Sequence, residues 1–286
     1  MKTLTTIQAT RAELAKMRRA GRIIEFVPTM GAFHEGHLSL MREAGGGGGC
    51  VVVSIFVNPL QFGPSEDFDT YPRNLSGDLS AASGVGVDFV FAPPAEEMYP
   101  RGSPATQLLV GRIGEVGEGR FRPGHFAGVA TVCMKLFNIV QPDRVYLGQK
   151  DAQQVAVIKQ MVADLNLPVE LVICPTCRES DGLAMSSRNA LLLPEDRAAA
   201  PVLYHALSVA KEMIEAGERS PAVVEEAARR VVARRPEVRL QYLEVVDPET
   251  FEPVRNISGT VTVAVAAVLG RVRLIDNVVV GTGRPA

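Results

Sequence analysis

Short runs rich in Val, Ile and Phe recur through the first two-thirds of the chain, at Ile23–Val27, Cys50–Val57, Val87–Ala92, Arg144–Leu147 and Val169–Cys174. Runs of this length without alternation are what strands buried on both faces of a parallel sheet look like. Helix-like patterns lie between them. The clearest is Val129, Val132, Leu136, Phe137 and Val140, whose spacing paints one apolar stripe. Strand, helix and strand in alternation imply right-handed crossovers, so the expected fold is α/β, a Rossmann-like doubly wound parallel sheet. Ligands of such sheets bind beyond the carboxyl ends of the strands.

The texture changes after Pro194. Charged helical stretches at Glu195–Ala216 and Pro221–Arg235 precede strand-like Leu240–Val246, Thr260–Val268 and Val272–Val280. Helices followed by strands predict a smaller C-terminal α+β domain. The expected division is residues 1–176 and 177–286, with the second domain as a lid. The glycine run Gly45–Gly49 follows a helical pattern and is expected to leave that connection loose.

A formal charge of −2 argues against a nucleic-acid partner, which needs clustered Lys and Arg. No apolar run approaches the roughly 20 residues that span a bilayer. Met1–Arg22 lacks the uninterrupted core of a signal peptide, so a cytoplasmic location is expected. Cys174 and Cys177 have C-x-x-C spacing, but no second ligand pair for zinc follows, and Arg178-Glu-Ser-Asp-Gly182 is no redox helix. They read as two loop thiols. Gly281-Thr-Gly-Arg-Pro-Ala286 fits a dinucleotide pattern on paper, but no helix follows it, so it is set aside.

Three segments carry polar residues beyond structural need. Pro28-Thr-Met-Gly-Ala-Phe-His-Glu-Gly-His37 follows the first expected strand, turns at Gly31 and enters a helix. His34 and His37 share a face at that helix's N-terminus, where free N–H groups and the dipole attract phosphate. Imidazoles there can donate to oxygens on which charge builds, and Gly36 between them lets a nucleotide base come close. Two histidines of an amphipathic surface are the plainer alternative, yet the chain has only four. Gly148-Gln-Lys-Asp-Ala-Gln-Gln154 is again a strand end and helix start. Lys150 offers a mobile charge for phosphate, Asp151 could simply cap the helix, and Gln154 lies one turn on. Asp181-Gly-Leu-Ala-Met-Ser-Ser-Arg-Asn189 can wrap a triphosphate or be a polar linker.

The paired His-x-Gly-His turn and Met-Ser-Ser-Arg loop resemble the nucleotidyltransferase superfamily. The likeness sharpens through Val27–His37, Ser54-Ile-Phe-Val-Asn-Pro-Leu-Gln-Phe62, Tyr71-Pro-Arg73, Glu97-Met-Tyr-Pro100, Arg122-Pro-Gly-His-Phe126, Gly182–Asn189 and Leu274-Ile-Asp-Asn277. These resemble the pantothenate synthetase family along essentially the whole chain. The resemblance implies an AMP-forming ligase that joins pantoate to β-alanine through pantoyl adenylate, with ATP as substrate, Mg²⁺ as its companion, and a homodimer.

It further implies an ATP site along Met30, Gly31, His34, Gly36 and His37, continued by Gly148, Gln149, Lys150 and Asp151. Cys177, through its backbone, and Met185, Ser186, Ser187 and Arg188 complete that site. His37, His34 and Lys150 are the expected catalytic groups; Gln61, Gln154 and Asn58 are the expected pantoate and β-alanine wall; Asp78 is the expected Mg²⁺ ligand. The chain departs from the family pattern at Gln149 (usually Glu), Cys177 (usually Val), Ser180 (usually Pro) and the 45–49 glycines. Another adenylyltransferase of the superfamily, or a non-catalytic nucleotide-binding protein on the same fold, are the competing expectations. No G-x-x-x-x-G-K-[ST] match exists, which disfavours a P-loop enzyme.

Overall fold

The computed structural model describes residues 1–64 and 66–281; of the 281–286 segment set aside above, 282–286 lie outside the described residues. In chain order the first part contains β1 (Lys2–Leu4), α1 (Ile7–Arg19), β2 (Ile24–Thr29), α2 (Glu35–Gly45) and β3 (Cys50–Ile55). Next come α3 (Leu75–Gly84), β4 (Phe89–Phe91), α4 (Ala95–Met98), α5 (Glu118–Phe121) and α6 (His125–Val140). Then follow β5 (Arg144–Gly148), α7 (Ala152–Asp164) and β6 (Glu170–Cys174). The remainder is α8 (Pro194–Ala199), α9 (Val202–Glu215), α10 (Pro221–Val232), β7 (Val238–Val246), β8 (Thr260–Leu269) and β9 (Val272–Gly281).

The first six strands form one parallel sheet in the order β1-β4-β3-β2-β5-β6. From β2 the chain winds one way to β3 and β4, then crosses back to β5 and β6. The order therefore reverses between β2 and β5, which opens a crevice at their carboxyl ends. The expected α/β architecture is thus present, with one strand more than the sequence suggested. β1 is three residues long and too short to leave a pattern.

Side chains from both faces of the sheet are buried. Phe26 of β2 is fully enclosed and meets Phe137 of α6 edge-on at 6.5 Å; burying a side chain of this kind contributes roughly 1.5–3 kcal/mol. β7, β8 and β9 form a separate antiparallel sheet covered by α9 and α10, with its own core around Leu203, Leu207, Leu243 and Val263. The helical stretch expected over Glu195–Ala216 is two helices, because Pro201 breaks the pattern after Ala200.

The two sheets are tied by ion pairs. Glu118 of α5 accepts from Tyr242 Oη at 2.7 Å and from Arg273 Nη2 at 2.7 Å. Arg120–Glu244 and Arg112–Glu252 bridge the same boundary. No helix among the described residues is long and apolar enough to cross a membrane.

Within the Gly45–Gly49 connection, Gly45–Gly48 are exposed and only Gly49 is closely packed. Gly48 takes φ +71°, and a Cβ on Gly49 would stand 2.5 Å from Cγ of the fully buried Glu25. The glycines allow the chain to pass over that carboxylate, which Arg144 and Tyr146 also hold at 3.4 and 3.1 Å.

Candidate functional site

β2 ends at Thr29 and β5 at Gly148, the two carboxyl ends that flank the reversal of strand order. The chain leaving β2 turns through Gly31 (φ +84°) and Ala32 (φ +51°) before α2. Asp78 of α3 holds this turn. Its two carboxylate oxygens accept from the N–H groups of Phe33 and Ala32 at 2.7 and 2.9 Å, and it is 4% exposed. Asp78 is absent from the walls of the cleft described below; each of its oxygens accepts one backbone donor and the side chain shapes the turn from behind.

His34 is the N-cap residue of α2 and His37 its third residue, with ring centroids 4.1 Å apart. The His34 N–H points at His37 Nδ1, 3.4 Å away. That nitrogen is thereby an acceptor, so the proton of the neutral ring sits on Nε2. His34 Nδ1 is buried with no partner among the described residues. A Cβ on Gly36 would come within 2.9 Å of the His34 ring, so this glycine makes room for the imidazole.

Desolvation, reinforced by the ammonium of Lys150, pushes His34 down to about 4. Desolvation, with His34 next, pushes His37 down to about 3, against the opposing pull of Asp151. Both rings are neutral near pH 7, which makes them hydrogen-bond donors with no positive charge of their own.

A cleft of about 220 Å³ is bounded by these histidines, Met30, Gln61, Lys150 and Gln154. Gly36, Gly148, Asp151, Cys177 and the loop Met185–Arg188 also line it. It adjoins a larger cavity of about 870 Å³ reaching toward β9, and Lys150, Asp151, Gln154, Ser186 and Arg188 face both. Expected site residues from three distant stretches of chain therefore meet.

Gly31 and Gln149 stand outside the cleft walls, one as a turn residue and the other turned toward β9. Asn58 also lies outside the cleft walls. It is 1% exposed, donates to Gln61 Oε1 and Gly128 O, and accepts from Tyr99 Oη at 2.7 Å. It orients Gln61 from behind the wall and does not face the cleft.

The Met185–Asn189 loop is docked. Ser187 Oγ lies 3.2 Å from Tyr71 Oη, and Arg188 makes a two-pronged pair with Asp67 at 2.7 and 2.9 Å. An incoming anion at Arg188 must displace or join that carboxylate. Cys177 donates from Sγ to Ser39 Oγ at 3.1 Å; both Cys174 and Cys177 are free thiols, but Cys174 is the buried last residue of β6 and only Cys177 lies in a loop.

Arg122 and His125 were quoted above only as part of a motif, yet both line the cleft. Arg122 pairs with Glu66 at 3.0 Å. His125 Nδ1 donates to the Gln61 carbonyl at 2.8 Å, which leaves Nε2 to accept from Arg122 at 3.1 Å. Desolvation, then Arg122, lowers His125 to about 4. A third histidine, three residues after an arginine in so histidine-poor a chain, was the available signal.

These three lowered histidines set a pH dependence. Unfolding returns each to an ordinary imidazole that takes up a proton below about pH 6.5. The unfolded chain then binds more protons, so stability is complete above about 6.5 and is lost as pH falls through about 4. Calorimetric Tm is expected to drop between about pH 6.5 and 5, before carboxylates with lowered pKa begin to titrate. A Tm constant over that window would contradict the neutral, desolvated histidines.

The family model described as pantoate-beta-alanine ligase matches residues 2–279. A pantothenate synthetase from Moorella thermoacetica is 53% identical over 279 residues, covering 98% of each chain. One from Caldicellulosiruptor bescii is 52% identical over 274 residues, covering 96% of this chain and 97% of its own. The crystal structure of pantothenate synthetase from Thermus thermophilus superposes with TM-score 0.92 at 46% identity, covering 97% and 99% of the two chains. A pantoate-beta-alanine ligase from Francisella tularensis, crystallised with beta-gamma ATP and beta-alanine, gives TM-score 0.81 at 33% identity, covering 99% and 100%.

Proposed function

The chain belongs to the pantoate-beta-alanine ligase family, and on that premise we propose how its own residues condense pantoate with β-alanine. The reaction has two steps. A pantoate carboxylate oxygen bonds to the α-phosphorus of ATP as the bond to pyrophosphate breaks. The β-alanine amine then bonds to the acyl carbon of pantoyl adenylate, and AMP leaves with the electrons of the acyl C–O bond. The observation that carries the reading is the meeting of His34, His37 and Lys150 with Gln61 and Gln154 around one cleft, at the reversal of strand order.

The nucleotide lies along Met30, His34, Gly36, His37, Gly148, Lys150, Asp151, the Cys177 backbone and Met185–Arg188, with Gly31 and Gln149 shaping these turns from outside the walls. His37 Nε2–H and the neutral His34 donate to phosphate oxygens whose charge grows during adenylation. Lys150, Ser186, Ser187 and Arg188 hold the β- and γ-phosphates and the departing pyrophosphate. Gln61 and Gln154 take pantoate, since an amide both donates to its carboxylate and accepts from its hydroxyls. Glu66 and Asp67 occupy Arg122 and Arg188 until substrate anions arrive.

No group of three His, Cys, Asp or Glu among the described residues could hold a metal unaided. Mg²⁺ would therefore come with ATP, coordinated mostly by phosphate oxygens and water, where it offsets phosphate charge. Residues 1–176 form the nucleotide and pantoate domain, and residues 177–286 close over it. This separates a hydrolysis-prone adenylate from water. The chain acts as a cytoplasmic homodimer in this reading.

The test is a product balance. ATP, D-pantoate and β-alanine are expected to yield AMP and pantothenate in equal amounts. An acceptor that carries a phosphate, such as 4′-phosphopantetheine, is expected to yield no adenylated product. The reverse pattern would establish the other branch of the superfamily.

A further inference from the structure

β9 carries two adjacent polar residues, Asp276 and Asn277, each 4% exposed. Successive side chains of a strand point to opposite sides, and these two reach different segments of the cleft. Asn277 Nδ2 donates to the backbone carbonyls of Gln149 and Lys150 at 3.0 and 2.9 Å. Main-chain carbonyls only accept, so the orientation of this amide is settled. Its Oδ1 faces Gln149 Nε2 at 3.3 Å, a donation that Gln149 can make and a glutamate could not.

Asp276 takes the Arg178 guanidinium in a two-pronged pair at 2.6 and 3.0 Å. Arg178 also donates to Gly182 O at 3.1 Å and lies over the Tyr204 ring at 3.8 Å. It opens a tight hairpin in which Arg178 pairs with Ala184 and Met185 N–H donates to Cys177 O at 3.0 Å. Arg178 therefore anchors the segment that begins at Cys177 and presents Met185–Arg188.

We propose that Asp276 and Asn277 are positioning residues for adenylation, a clamp on the small sheet that holds the Gly148–Asp151 and Cys177–Arg188 segments in register with each other. One rigid dipeptide sets the spacing between Lys150 and the serine–arginine loop, so the second domain fixes the geometry of the phosphate site as well as covering it. The buried pairs leave little freedom in that spacing, since an unpartnered polar group here is costly. The inference rests on the ligase reading above.

Asn277→Asp tests it without changing side-chain volume. The variant loses both donations to the Gln149 and Lys150 carbonyls. Binding of α,β-methylene-ATP is expected to weaken about 10-fold, as is the single-turnover rate of pyrophosphate release, the factor that a displaced hydrogen bond carries. KM values for pantoate and β-alanine are expected to stay within about 2-fold. A merely structural role would lower Tm and the active fraction and leave the ATP affinity of folded molecules unchanged.

Gln149→Ala, which removes the donation to Asn277 Oδ1 and leaves both backbone carbonyl bonds in place, covers the case in which Asn277→Asp does not fold. It is expected to raise KM for ATP about 5-fold. Wild-type nucleotide affinity and adenylation rate in the folded variants would overturn the clamp. A parent chain that binds the analogue but releases no pyrophosphate would instead overturn the ligase reading, and the analogue affinities would still judge the clamp.

Discussion

Replacing His37 with alanine is expected to slow pyrophosphate release from ATP and pantoate by about 10²-fold or more, the range for removing one donor aimed at developing charge. The loss is expected at this ring because its state is defined. Its Nδ1 faces the His34 N–H, its proton is on Nε2, and desolvation keeps it neutral with a pKa of about 3. It acts as a fixed dipole and not as a reservoir of protons. The ratio of wild-type to variant rate is accordingly expected to be constant from about pH 6 to 8. His34→Ala is expected to behave similarly, since its ring lies against His37 at 4.1 Å. Adenylation near the wild-type rate in both variants, measured by stopped-flow pyrophosphate detection, would contradict the assignment.

The second large effect is expected at Gly128, inside α6. Alanine in mid-helix ordinarily stabilises by about 1 kcal/mol relative to glycine. Here its Cβ would stand 2.2 Å from Leu60 O and 2.7 Å from Gln61 N, both backbone atoms that cannot swing aside. The Pro59–Gln61 turn must move away from α6, and Asn58 loses its contact with Gly128 O, now 3.1 Å. Overpacking of this kind typically costs 1–3 kcal/mol, which exceeds the helix gain. Gly128→Ala is therefore expected to unfold several degrees lower and to raise KM for pantoate about 10-fold, because Gln61 rides on the displaced turn. A variant with unchanged Tm and pantoate KM would show that Gln61 is not held by this contact.

Legibility from sequence followed the range of the interactions. The β2–β5 strands were readable because both faces are largely buried and the apolar runs are continuous, and the partly buried edge strand β6 by its apolar run alone, whereas β1 is identifiable only by its pairing with β4. The His34/His37 turn and Lys150 stood out because their residue types at strand ends have few purely structural uses. Asp78 and Asn58 stand behind the cleft wall, and sequence could not show this, for a common reason. Each makes its decisive contacts with backbone or side chains far away in sequence, Asp78 with Ala32 and Phe33, and Asn58 with Gly128 and Tyr99. A polar residue near a site looks alike in sequence whether it faces the cleft or supports it from behind. The same limit hid Asp276 and Asn277, whose partners lie about 100 residues upstream or more.

Pyrophosphate release from ATP and D-pantoate, followed with and without β-alanine, tests the central claim most directly. One equivalent per active site without β-alanine, turning into steady release with AMP and pantothenate once it is added, is the expected result. Absence of pyrophosphate under both conditions, in a folded chain that binds ATP, would contradict adenylation of pantoate at this cleft.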